Sequence, residues 1–543
     1  MEKEILKFCL EKGLLVDKSA LDLFEGVGDV DSAKLIIEGF KEKTQAKMLT
    51  RHVFETHKSR VEEVILDLPF EKQKVLEKLK IKLGLTIEFE KEIAIVEKEE
   101  KTIEGFAKGV VRVKEMPFTV GKKLQVKDFV THFRRRFDRM SGILQEHSEL
   151  ENLISIDKIS NTRQSFSIIG IVTDRRITKN KNLMLEVEDL TGKIKVLINE
   201  NKKEVFEQAE NICLDGMMGF SGTGNREIIF VNDVVFPEAF IDERKKGVLD
   251  ENVLFLGDLH FGSDRFLEKE FLKFIDYLNG GISGTEEEVS KIKYLLLVGD
   301  IITGVGNYPN QEAELKIVDL EEQFKQLAVL LDKIPKTIKI ILSPGNHDSV
   351  RLMEPQPLLD EKYAWPLYDL ENAIFTTNPA RVNIGSVEEL GFDGFDVLTY
   401  HGFSFPFYAN NIPELIAKRA MNCPEEIMKY LLKNRHLAPT HKSVQYFPLE
   451  KDALLIKKVP DIFVSAHTHK SGASYYNNIL VISTSCWESM TPYQEKFGNQ
   501  PDHCKVPMFN LKTRQVKILD FEEPVETEEV GVNKEKLKVG VKK

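Results

Sequence analysis

Cysteine is scarce in this chain and is not arranged in pairs. Only five cysteines occur among 543 residues, and none of them belongs to a C-x-x-C motif. An odd, scattered set of this kind predicts neither a disulfide framework nor a structural zinc site. Long apolar runs are also missing, since no stretch approaches the roughly 20 residues that a bilayer-spanning helix needs. The first residues lack the basic and apolar regions of a secretory signal. We therefore expect a protein of the reducing cytoplasm that does not bind a membrane.

Positive charge is in deficit as well. The chain carries 76 Lys and Arg against 87 Asp and Glu, a formal net charge of −11. Nucleic-acid binding by phosphate neutralisation needs Lys and Arg, so this balance argues against a generally DNA-binding surface. It does not exclude a local site, because acidic surface can face another subunit and bound metal ions supply positive charge. The length predicts about three or four domains.

Two regions precede the first strand-rich segment. Apolar residues recur at helical spacing at the start of the chain, which predicts a small helical N-terminal domain over residues 1–70 that serves docking or packing. Residues 71–160 are dominated by Lys and Glu and are interpreted as a charged linker with some local helix. Within it, residues 131–137 combine basic and aromatic side chains. This patch either grips a nucleic-acid backbone or forms an amphipathic helix with packed aromatics and solvated arginines.

Short strands separated by turns are predicted over residues 161–245. Three strands, a helix and two further strands follow one another, which is the order of the five-stranded OB barrel. Residues 173–182 form the predicted first loop, where such barrels often contact oligonucleotides. The basic residues of that loop are Arg175, Arg176, Lys179 and Lys181. OB barrels also act as protein–protein adaptors, so nucleic-acid contact and protein contact both stay open.

Apolar strands alternate with helices over residues 250–522, which predicts an α/β sheet with functional groups at the strand ends. Residues 523–543 form a short charged tail that is predicted to be disordered. Five polar segments each follow an apolar run, and they contain five of the 12 histidines of the chain. The segments are Gly257-Asp258-Leu259-His260, Gly299-Asp300, Gly345-Asn346-His347-Asp348, His401-Gly402 and Ala466-His467-Thr468-His469.

The residue types in these segments suit divalent cations, which take carboxylate, imidazole and amide ligands. Two ions about 3.5–4 Å apart can clamp the attacking and leaving oxygens of a phosphoryl displacement and acidify a water held between them. We predict that Asp300 bridges both ions, which gives each ion about four protein ligands and leaves room for substrate. The predicted ligands are Asp258, His260, Asp300, Asn346, His401, His467 and His469.

His347 follows Asn346 directly, so its side chain is predicted to lie close to the metals without binding them. We assign to it the protonation of the leaving oxygen. Asp348 is the predicted partner that orients the His347 imidazole. Single motifs have ordinary explanations, since Asp-x-His pairs occur by chance in surface loops. A site that is retained but inactive is an alternative that stays open.

The metal-binding segments and His347 together resemble the motif set of the calcineurin-like metallophosphoesterase superfamily. Asp348 and the sequence Ile301-Ile302-Thr303-Gly304 make the pattern more similar to double-strand-break repair nucleases than to protein phosphatases. The order of helical module, linker, OB barrel and phosphoesterase resembles the small subunit of the archaeal family D DNA polymerase. Residues 299–309, 343–348 and 465–469 carry that closer resemblance.

This resemblance implies a multidomain protein in which a calcineurin-like α/β sandwich adjoins the OB barrel. It implies a 3′→5′ exonuclease that removes misincorporated nucleotides from single-stranded or primer–template DNA, with manganese, or magnesium, at the site. It also implies a partner, a large subunit that polymerises DNA. One departure is Thr303, because the nuclease relatives often carry Asp or His three residues after the bridging Asp. That change bears on the rate more than on metal binding.

Two other functions stay open. The chain could be a non-catalytic scaffold that holds the large subunit through the barrel and the sheet edges, a role that an acidic surface suits. It could also be an independent phosphodiesterase or phosphatase acting on small esters, although such an enzyme needs no OB barrel. Manganese-dependent release of nucleotides from a single-stranded 3′ end would separate the first function from both.

Overall fold

The computed structural model describes residues 2–24, 30–44 and 48–50, scattered positions from 53 to 68, and residues 110–118 and 123–522. Two compact units divide the chain, Met1–Ala94 and Ile95–Lys543. None of the helices in the described ranges combines the length and the apolar composition needed to cross a lipid bilayer. Residues 71–109 of the predicted linker and the predicted tail, 523–543, lie outside the described residues.

Helices make up most of the first unit in its described part. Ile5, Cys9, Ile36 and Phe40 are buried at its centre, with the spacing of amphipathic helices. An independent helical domain over residues 1–70 remains a prediction. The elements are α1 (Glu2–Glu11), β1 (Leu15–Val16), α2 (Lys18–Phe24), α3 (Val30–Thr44) and β2 (Met48–Leu49), and the two short strands pair in parallel.

Residues from 110 to 160 contribute a strand and a long helix to the second unit. Strand β3 (Val110–Glu115) lies at the edge of a six-stranded sheet. Helix α4 (Val126–Leu144) packs its apolar side into a buried cluster shared with the following barrel. In this part the structure differs from the charged linker predicted over 71–160. The difference arises because tertiary contacts bury the apolar side of the helix, which local charge density does not reveal.

A closed barrel of five strands follows. The order around it is β4-β5-β6-β8-β7, and β7 pairs back onto β4. Neighbouring strands are antiparallel, except that β6 and β8 are parallel. Alternate residues of β5 are fully buried, as expected for a strand with one face in a core. The elements are β4 (Gln164–Ile177), β5 (Leu183–Glu188), β6 (Lys193–Ile198), α5 (Lys203–Ala209), β7 (Met217–Gly224) and β8 (Ile228–Val235).

Two six-stranded sheets, one of which includes β3, form the remainder of this unit. Most of their strands are buried on both faces, which explains why they appear in the sequence as continuous apolar runs. The strands are β9 (Asn252–Leu256), β10 (Ile292–Val298), β11 (Lys339–Ser343), β12 (Ala373–Phe375), β13 (Ala380–Ser386), β14 (Phe395–Thr399), β15 (Ile462–Ser465), β16 (Gly472–Tyr476), β17 (Ile479–Ser483), β18 (Lys505–Asn510) and β19 (Val516–Asp520).

Parallel strands dominate the centre of both sheets. The first sheet has the order β12-β11-β10-β9-β18-β19, in which β9 to β12 are parallel. The second has the order β16-β17-β15-β14-β13-β3, in which β14, β15 and β17 are parallel. Since the carboxyl ends of parallel strands meet at one edge of a sheet, each sheet gathers several loops at one edge.

Helices cover the outer face of each sheet. The two sheets pack against each other through a shared apolar core that includes Phe255 and Val464. Helices α6, α8 and α9 cover the first sheet, and α10, α11 and α12 cover the second, so the layers run helix, sheet, sheet, helix. The helices are α6 (Glu268–Leu278), α7 (Glu286–Ser290), α8 (Leu320–Leu331), α9 (Glu361–Tyr368), α10 (Phe405–Asn411), α11 (Pro413–Ala417), α12 (Pro424–Asn434) and α13 (Pro492–Phe497).

Candidate metal centre

The predicted ligands follow the carboxyl ends of five strands. In the first sheet, the loop after β9 carries Asp258 and His260, the loop after β10 carries Asp300, and the loop after β11 carries Asn346. The loops after β14 and β15 of the second sheet carry the three other predicted ligands, His401, His467 and His469. Backbone hydrogen bonds tie the loops together, such as the one from the Asp258 amide to the Gly299 carbonyl at 3.0 Å. The centre therefore lies where the ends of the two sheets meet.

Most of the ligand-bearing residues adopt a left-handed backbone conformation that L-residues rarely take. The φ angle is +49° at Asp258, +48° at His260, +49° at Asp300, +71° at His467 and +57° at His469. Such conformations cost of order 1–3 kcal/mol each and persist where the surrounding structure imposes them. Their concentration at one place indicates that the loops are shaped to aim these side chains.

Asp258, His260 and His469 form the first group. The Nε2 atoms of the two imidazoles lie 3.1 Å apart, and His469 Nε2 lies 3.8 Å from Asp258 Oδ1. Asp258 Oδ2 accepts a hydrogen bond from the His467 amide at 2.8 Å. Each of the three side chains offers one ligand atom, and these three atoms lie within 4.8 Å of one another.

Asp300, Asn346, His401 and His467 form the second group. His401 Nε2 lies 3.1 Å from Asp300 Oδ2 and 3.1 Å from Asn346 Oδ1. His401 Nδ1 donates to the Val298 carbonyl at 3.0 Å, so that bond fixes the ring and directs Nε2 into the site. Ligand atoms of Asp300, His401 and His467 also lie within 4.8 Å of one another. Candidate ligand atoms of His260, Asp300 and His347 lie within 4.8 Å of one another as well, so Asp300 is close to both groups, and its bridging role stays a prediction.

Glycine is required where the loops approach most closely. A Cβ atom at Gly345 would lie 2.3 Å from Asp300 Oδ1. At Gly299, where φ is +78°, a Cβ atom would lie 2.4 Å from His401 Nδ1. The Gly residues that precede Asp300 and Asn346 in the motifs therefore make room for the ligands themselves.

The carboxylates of the centre are strongly affected by burial and by one another. Burial raises the pKa of Asp258 well above its ordinary value, and the nearby Asp300 adds to the rise. Burial acts in the same direction on Asp300, but the imidazoles of His401 and His347 outweigh it and hold the Asp300 pKa well below its ordinary value. Burial alone would lower the pKa of His401, yet Asp300 and Asp258 raise it to about 10. The charge of Asp300 is thus compensated within the protein, whereas the charge of Asp258 is disfavoured.

Burial disfavours the charged form of the three other ligand imidazoles. Burial lowers the pKa of His260 well below its ordinary value, and it lowers the pKa of His467 and of His469 to about 3. Neutral imidazole is the form that binds metals. These rings can therefore act as ligands without first releasing a proton.

One buried oxygen shows that these residues fit a cation. Asp258 Oδ1 is buried and has no hydrogen-bond partner among the residues that the structure describes. An unpartnered buried carboxylate oxygen is costly unless a cation compensates it. Together with neutral imidazoles and the amide oxygen of Asn346, it completes a donor set suited to divalent metal ions.

The surroundings of His347 differ from the prediction. Asp348 was expected to orient the His347 imidazole, but its carboxylate accepts hydrogen bonds from the Ile302 amide at 3.0 Å and the Gly345 amide at 2.7 Å. The His347 ring instead directs Nδ1 to the Thr303 carbonyl at 3.1 Å. Asp348 therefore fixes the backbone of the loop, because the tight turn after β11 turns its side chain inward.

Two residues that the sequence did not single out contact the predicted site. Asn307 places its amide nitrogen 3.3 Å from His347 Nδ1 and 3.0 Å from the Thr303 carbonyl. Gln494 places its amide nitrogen 2.8 Å from His469 Nδ1. Asn307 belongs to the family-like stretch 299–309, which was the available signal. Nothing in the local sequence marks Gln494, which begins to matter only when α13 meets the loop after β15.

The four basic residues predicted to contact nucleic acid do not share one environment. Arg176, Lys179 and Lys181 are exposed. Arg175 is half-buried, with Nη1 3.5 Å from the Ile212 carbonyl, and burial lowers its pKa. Strand β4 continues to Ile177, so the two arginines lie on a strand end and not in a loop.

The basic and aromatic patch at residues 131–137 lies on helix α4. Arg134 and Arg135 are exposed, as an amphipathic helix predicts. His132 and Arg136 are each 1% exposed, which neither prediction anticipated. Arg136 is bound by Asp452, with Nε and Oδ2 2.6 Å apart, so that arginine is not available to nucleic acid.

Comparisons with known proteins agree with the motifs. A model of the family that comprises the B subunits of DNA polymerases alpha and epsilon matches residues 253–473. The DNA polymerase II small subunit of Pyrococcus furiosus is 35% identical over 405 residues, which are 73% of this chain and 64% of that protein. The protein of the same name from Methanothermobacter thermautotrophicus is 35% identical over 401 residues, 73% of this chain and 80% of the relative. The protein of that name from Methanocaldococcus jannaschii is 36% identical over 395 residues, 71% of this chain and 64% of the relative.

Two solved structures match about half of this chain at low sequence identity. An archaeal phosphodiesterase matches 49% of this chain and 98% of its own, with 13% identity and a TM-score of 0.25. Vps29 of Entamoeba histolytica in complex with zinc matches 50% of this chain and 99% of its own, with 14% identity and a TM-score of 0.22.

Proposed function

Because the chain belongs to the family of DNA polymerase II small subunits, as its motifs predicted, we propose that it is the proofreading exonuclease of a two-subunit replicative DNA polymerase. It would remove nucleotides from the 3′ end of DNA by metal-dependent hydrolysis of phosphodiesters. The observation that carries this proposal is the convergence of side chains from five strand ends, with an unpartnered Asp258 oxygen among them.

Seven residues would hold two divalent ions. The first ion would bind Asp258, His260 and His469, and the second would bind Asn346, His401 and His467, with Asp300 shared between them. When bound, such ions supply Lewis acidity toward the phosphate and lower the pKa of water. The family resemblance favours manganese, with magnesium as the second choice. The lowered pKa values of His467 and His469 and the disfavoured charge of the buried Asp258 support this assignment.

His347 would give a proton to the leaving oxygen. It is only half-buried, and the bond of Nδ1 to the Thr303 carbonyl leaves Nε2 as the free nitrogen. In hydrolysis, water adds to phosphorus, the bond from phosphorus to the O3′ atom of the preceding nucleotide breaks, and that O3′ takes a proton. The products are a nucleoside 5′-monophosphate and a shorter strand with a free 3′ hydroxyl. Asp348 contributes by holding the loop through the Ile302 and Gly345 amides.

The barrel would contact DNA and the large polymerising subunit. Its strand order, in which the third and fifth strands pair in parallel, supports its assignment as an OB fold. The exposed Arg176, Lys179 and Lys181, with the half-buried Arg175, are proposed as contacts to single-stranded or primer–template DNA. The relatives are named small subunits, which supports a role in tethering a large polymerising subunit.

The test is nucleotide release by the full-length chain, with and without the large subunit. A 5′-labelled single strand should shorten from its 3′ end when Mn²⁺ is present and remain intact in EDTA. Asp300→Asn should abolish the shortening, because both groups of ligands share this carboxylate. Asp332→Asn, which alters an exposed carboxylate paired with Lys336, is the matched control and should behave as the wild type.

The outcomes separate the alternatives. A complex that forms with the large subunit but neither binds Mn²⁺ nor shortens DNA would identify a scaffold. Hydrolysis of a small aryl phosphodiester without any action on DNA would identify an independent phosphodiesterase. Shortening from the 5′ end would contradict the proposed polarity while leaving the metal centre intact.

A further inference from the structure

The metal centre is partly open to solvent, and His347 lies at one of its exposed edges. The proposed ligands Asp258, His260, Asp300 and His401 are buried, whereas His347 is half-buried, as are Asn346 and His467. The ring of Tyr308 lies beside it, with ring centroids 6.4 Å apart and an angle of 68° between the rings. Tyr308 keeps 41% of its surface exposed. A large aromatic ring is thus presented to solvent at the edge of the site.

The surrounding loop holds this ring in place. The Tyr308 hydroxyl donates to Glu314 Oε2 at 2.8 Å. In the preceding residue, Asn307, the side-chain nitrogen donates to the Thr303 carbonyl, and the backbone N–H donates to Gln311 Oε1. Because its hydroxyl and its neighbour are both anchored, the ring is ordered although it is not part of the core. Ordering an exposed side chain in advance reduces the entropy lost when a ligand binds.

The charge around Tyr308 favours a base over a phosphate. Glu314 accepts a hydrogen bond from its hydroxyl, and Glu488 and Asp264 act on it electrostatically, while Arg265 is paired with Asp264 at 3.8 Å. Acidic groups therefore outnumber basic ones among these residues, and a phosphate placed there would be repelled. A nucleobase is uncharged and has a flat face that can stack on the ring, and adenine, guanine and cytosine carry an amino group that can donate to a carboxylate. The position therefore suits the base of a nucleotide whose phosphate lies in the metal centre.

We propose that Tyr308 stacks on the base of the penultimate nucleotide, the one whose O3′ leaves when the terminal nucleotide is released. This proposal rests on the proposed function, because it follows from His347 acting on that oxygen. The group next to the proton donor is the nucleoside that carries the leaving oxygen, and the ring next to His347 is Tyr308. Stacking on an aromatic ring requires an unpaired base, so Tyr308 would select frayed or single-stranded ends over paired ones.

The experiment places an abasic nucleotide at either of two positions in a 5′-labelled single strand. One strand lacks the terminal base and the other lacks the penultimate base, and kcat/KM for release of the terminal nucleotide is measured with Mn²⁺. The variants are Tyr308→Ala, which removes the ring, and Tyr308→Phe, which keeps the ring and loses the bond to Glu314. Trp365→Ala is the matched control, because Trp365 is 43% exposed and also donates to a glutamate, Glu321.

One stacked base contributes roughly 1–3 kcal/mol, which corresponds to about 5- to 150-fold in kcat/KM. In the wild type, loss of the penultimate base should lower kcat/KM by a factor in that range. Tyr308→Ala should show the same loss on the intact strand and no further loss on the strand without the penultimate base. Tyr308→Phe and Trp365→Ala should keep the wild-type preference.

A second readout does not depend on turnover. In EDTA, a strand with 2-aminopurine at the penultimate position should lose fluorescence when it binds the wild-type chain and Tyr308→Phe, because stacking quenches this base. The quenching should be smaller for Tyr308→Ala. With 2-aminopurine at the terminal position, the three proteins should quench equally.

Two results would overturn the proposal. If Tyr308→Ala lowers kcat/KM equally on the intact strand and on the strand without the penultimate base, the ring acts only on the shape of the loop. If the terminal base shows the dependence and the penultimate base does not, the ring faces the wrong nucleotide. Failure of the proposed function looks different, since the wild type would then not shorten the intact strand at all.

Discussion

Two buried clusters of histidine and aspartate in the described part of the chain can be compared. One is the metal centre. The other, here termed the α4 lock, consists of His132, Arg136, His436 and Asp452, and joins helix α4 to the loops after α12. Both clusters combine buried histidine and aspartate, and the lock adds an arginine. They differ in whether their polar atoms have protein partners and in how the backbone carries them.

In the α4 lock, hydrogen bonds and an ion pair within the protein compensate the buried charges. Asp452 Oδ2 accepts from Arg136 Nε at 2.6 Å and from His436 Nε2 at 2.9 Å, and Oδ1 accepts from the Leu454 amide at 3.0 Å. Arg136 also donates to the Pro439 carbonyl at 2.7 Å. Burial alone would raise the pKa of Asp452, but Arg136 and His436 hold it well below its ordinary value. One guanidinium balances one carboxylate, so no further ion is needed.

In the metal centre, the Asp258 carboxylate is not compensated in this way. Asp258 Oδ1 has no partner among the described residues, and burial raises the Asp258 pKa. Five of the ligand-bearing residues have positive φ angles, whereas none of the four residues of the α4 lock is among the positive-φ residues. A cluster whose polar atoms all have protein partners and whose backbone is relaxed stabilises the fold. A cluster with an unpartnered carboxylate oxygen and strained backbone angles is suited to bind a ligand from outside the chain, such as a cation.

The sharpest way to test this contrast is to remove one histidine from each cluster. His347→Ala should lower kcat for nucleotide release by about 10²–10⁴-fold, the usual contribution of a general acid, with little change in thermal stability. His436→Ala should show the opposite pattern, a lower melting temperature with kcat of the folded enzyme near that of the wild type. Single-turnover kinetics and thermal unfolding of both variants provide the measurement. Loss of kcat in both variants to the same degree would mean that the two clusters do not have separate roles.

Asp452→Asn tests the lock itself. Removing the charge leaves the Arg136 guanidinium buried without a counter-ion, which costs about 3–5 kcal/mol of stability. The melting temperature of the chain should therefore fall strongly, and proteolysis should release helix α4. Glu450→Gln, which removes a carboxylate paired with the exposed Arg135, is the control. A control as unstable as Asp452→Asn would assign the effect to the loop and not to the buried pair.

The contrast also shows which parts of the molecule the sequence could predict. The convergence of Asp258, Asp300 and Asn346 was predictable, because each follows an apolar strand directly and parallel strand ends meet at one edge. The lock was not, since His132 and its partner carbonyl at Leu449 are 317 residues apart. The same reason hid Gln494 and the role of Asp348, whose partners are set by loop geometry. Local pattern predicts which chemistry a strand end offers, and tertiary packing decides which charged residues are buried.

The stabilisation of the whole protein by metal ions should depend on the metal centre and not on the α4 lock. Any ion that binds only the folded state stabilises it, by about 2.7 kcal/mol at 100 times the Kd. Mn²⁺ should therefore raise the melting temperature of the wild type and of Asp452→Asn by similar amounts. Asp258→Asn should lose this shift, and it should melt above the wild type in EDTA because a destabilised buried carboxylate has been removed. Were Asp258→Asn less stable than the wild type in EDTA, the Asp258 charge would be compensated by the protein after all.

The smallest expected effect concerns Glu354, which extends the comparison to the layer behind the metal centre. Its Oε2 accepts from the Tyr400 hydroxyl at 3.2 Å, but its buried Oε1 has no partner among the described residues. Burial raises the Glu354 pKa to about 8. A carboxyl whose folded pKa is raised stabilises the fold fully below its unfolded pKa, and this contribution is lost as the pH rises through the folded pKa.

Between pH 6 and pH 7, the unfolded chain has released the Glu354 proton while the folded chain retains it. The wild type should therefore lose about 1.4 kcal/mol of stability over that unit relative to Glu354→Gln. Denaturant unfolding of both proteins at the two pH values in EDTA measures the difference, with Glu388→Gln, an exposed site, as the control. Asp452 should not contribute in this window, because its depressed pKa makes the lock lose stability only as the pH falls below the ordinary carboxyl pKa. If Glu354→Gln shows the same slope as the wild type, the Glu354 carboxyl titrates alike in the folded and unfolded chain, and its burial does not affect stability over this pH range.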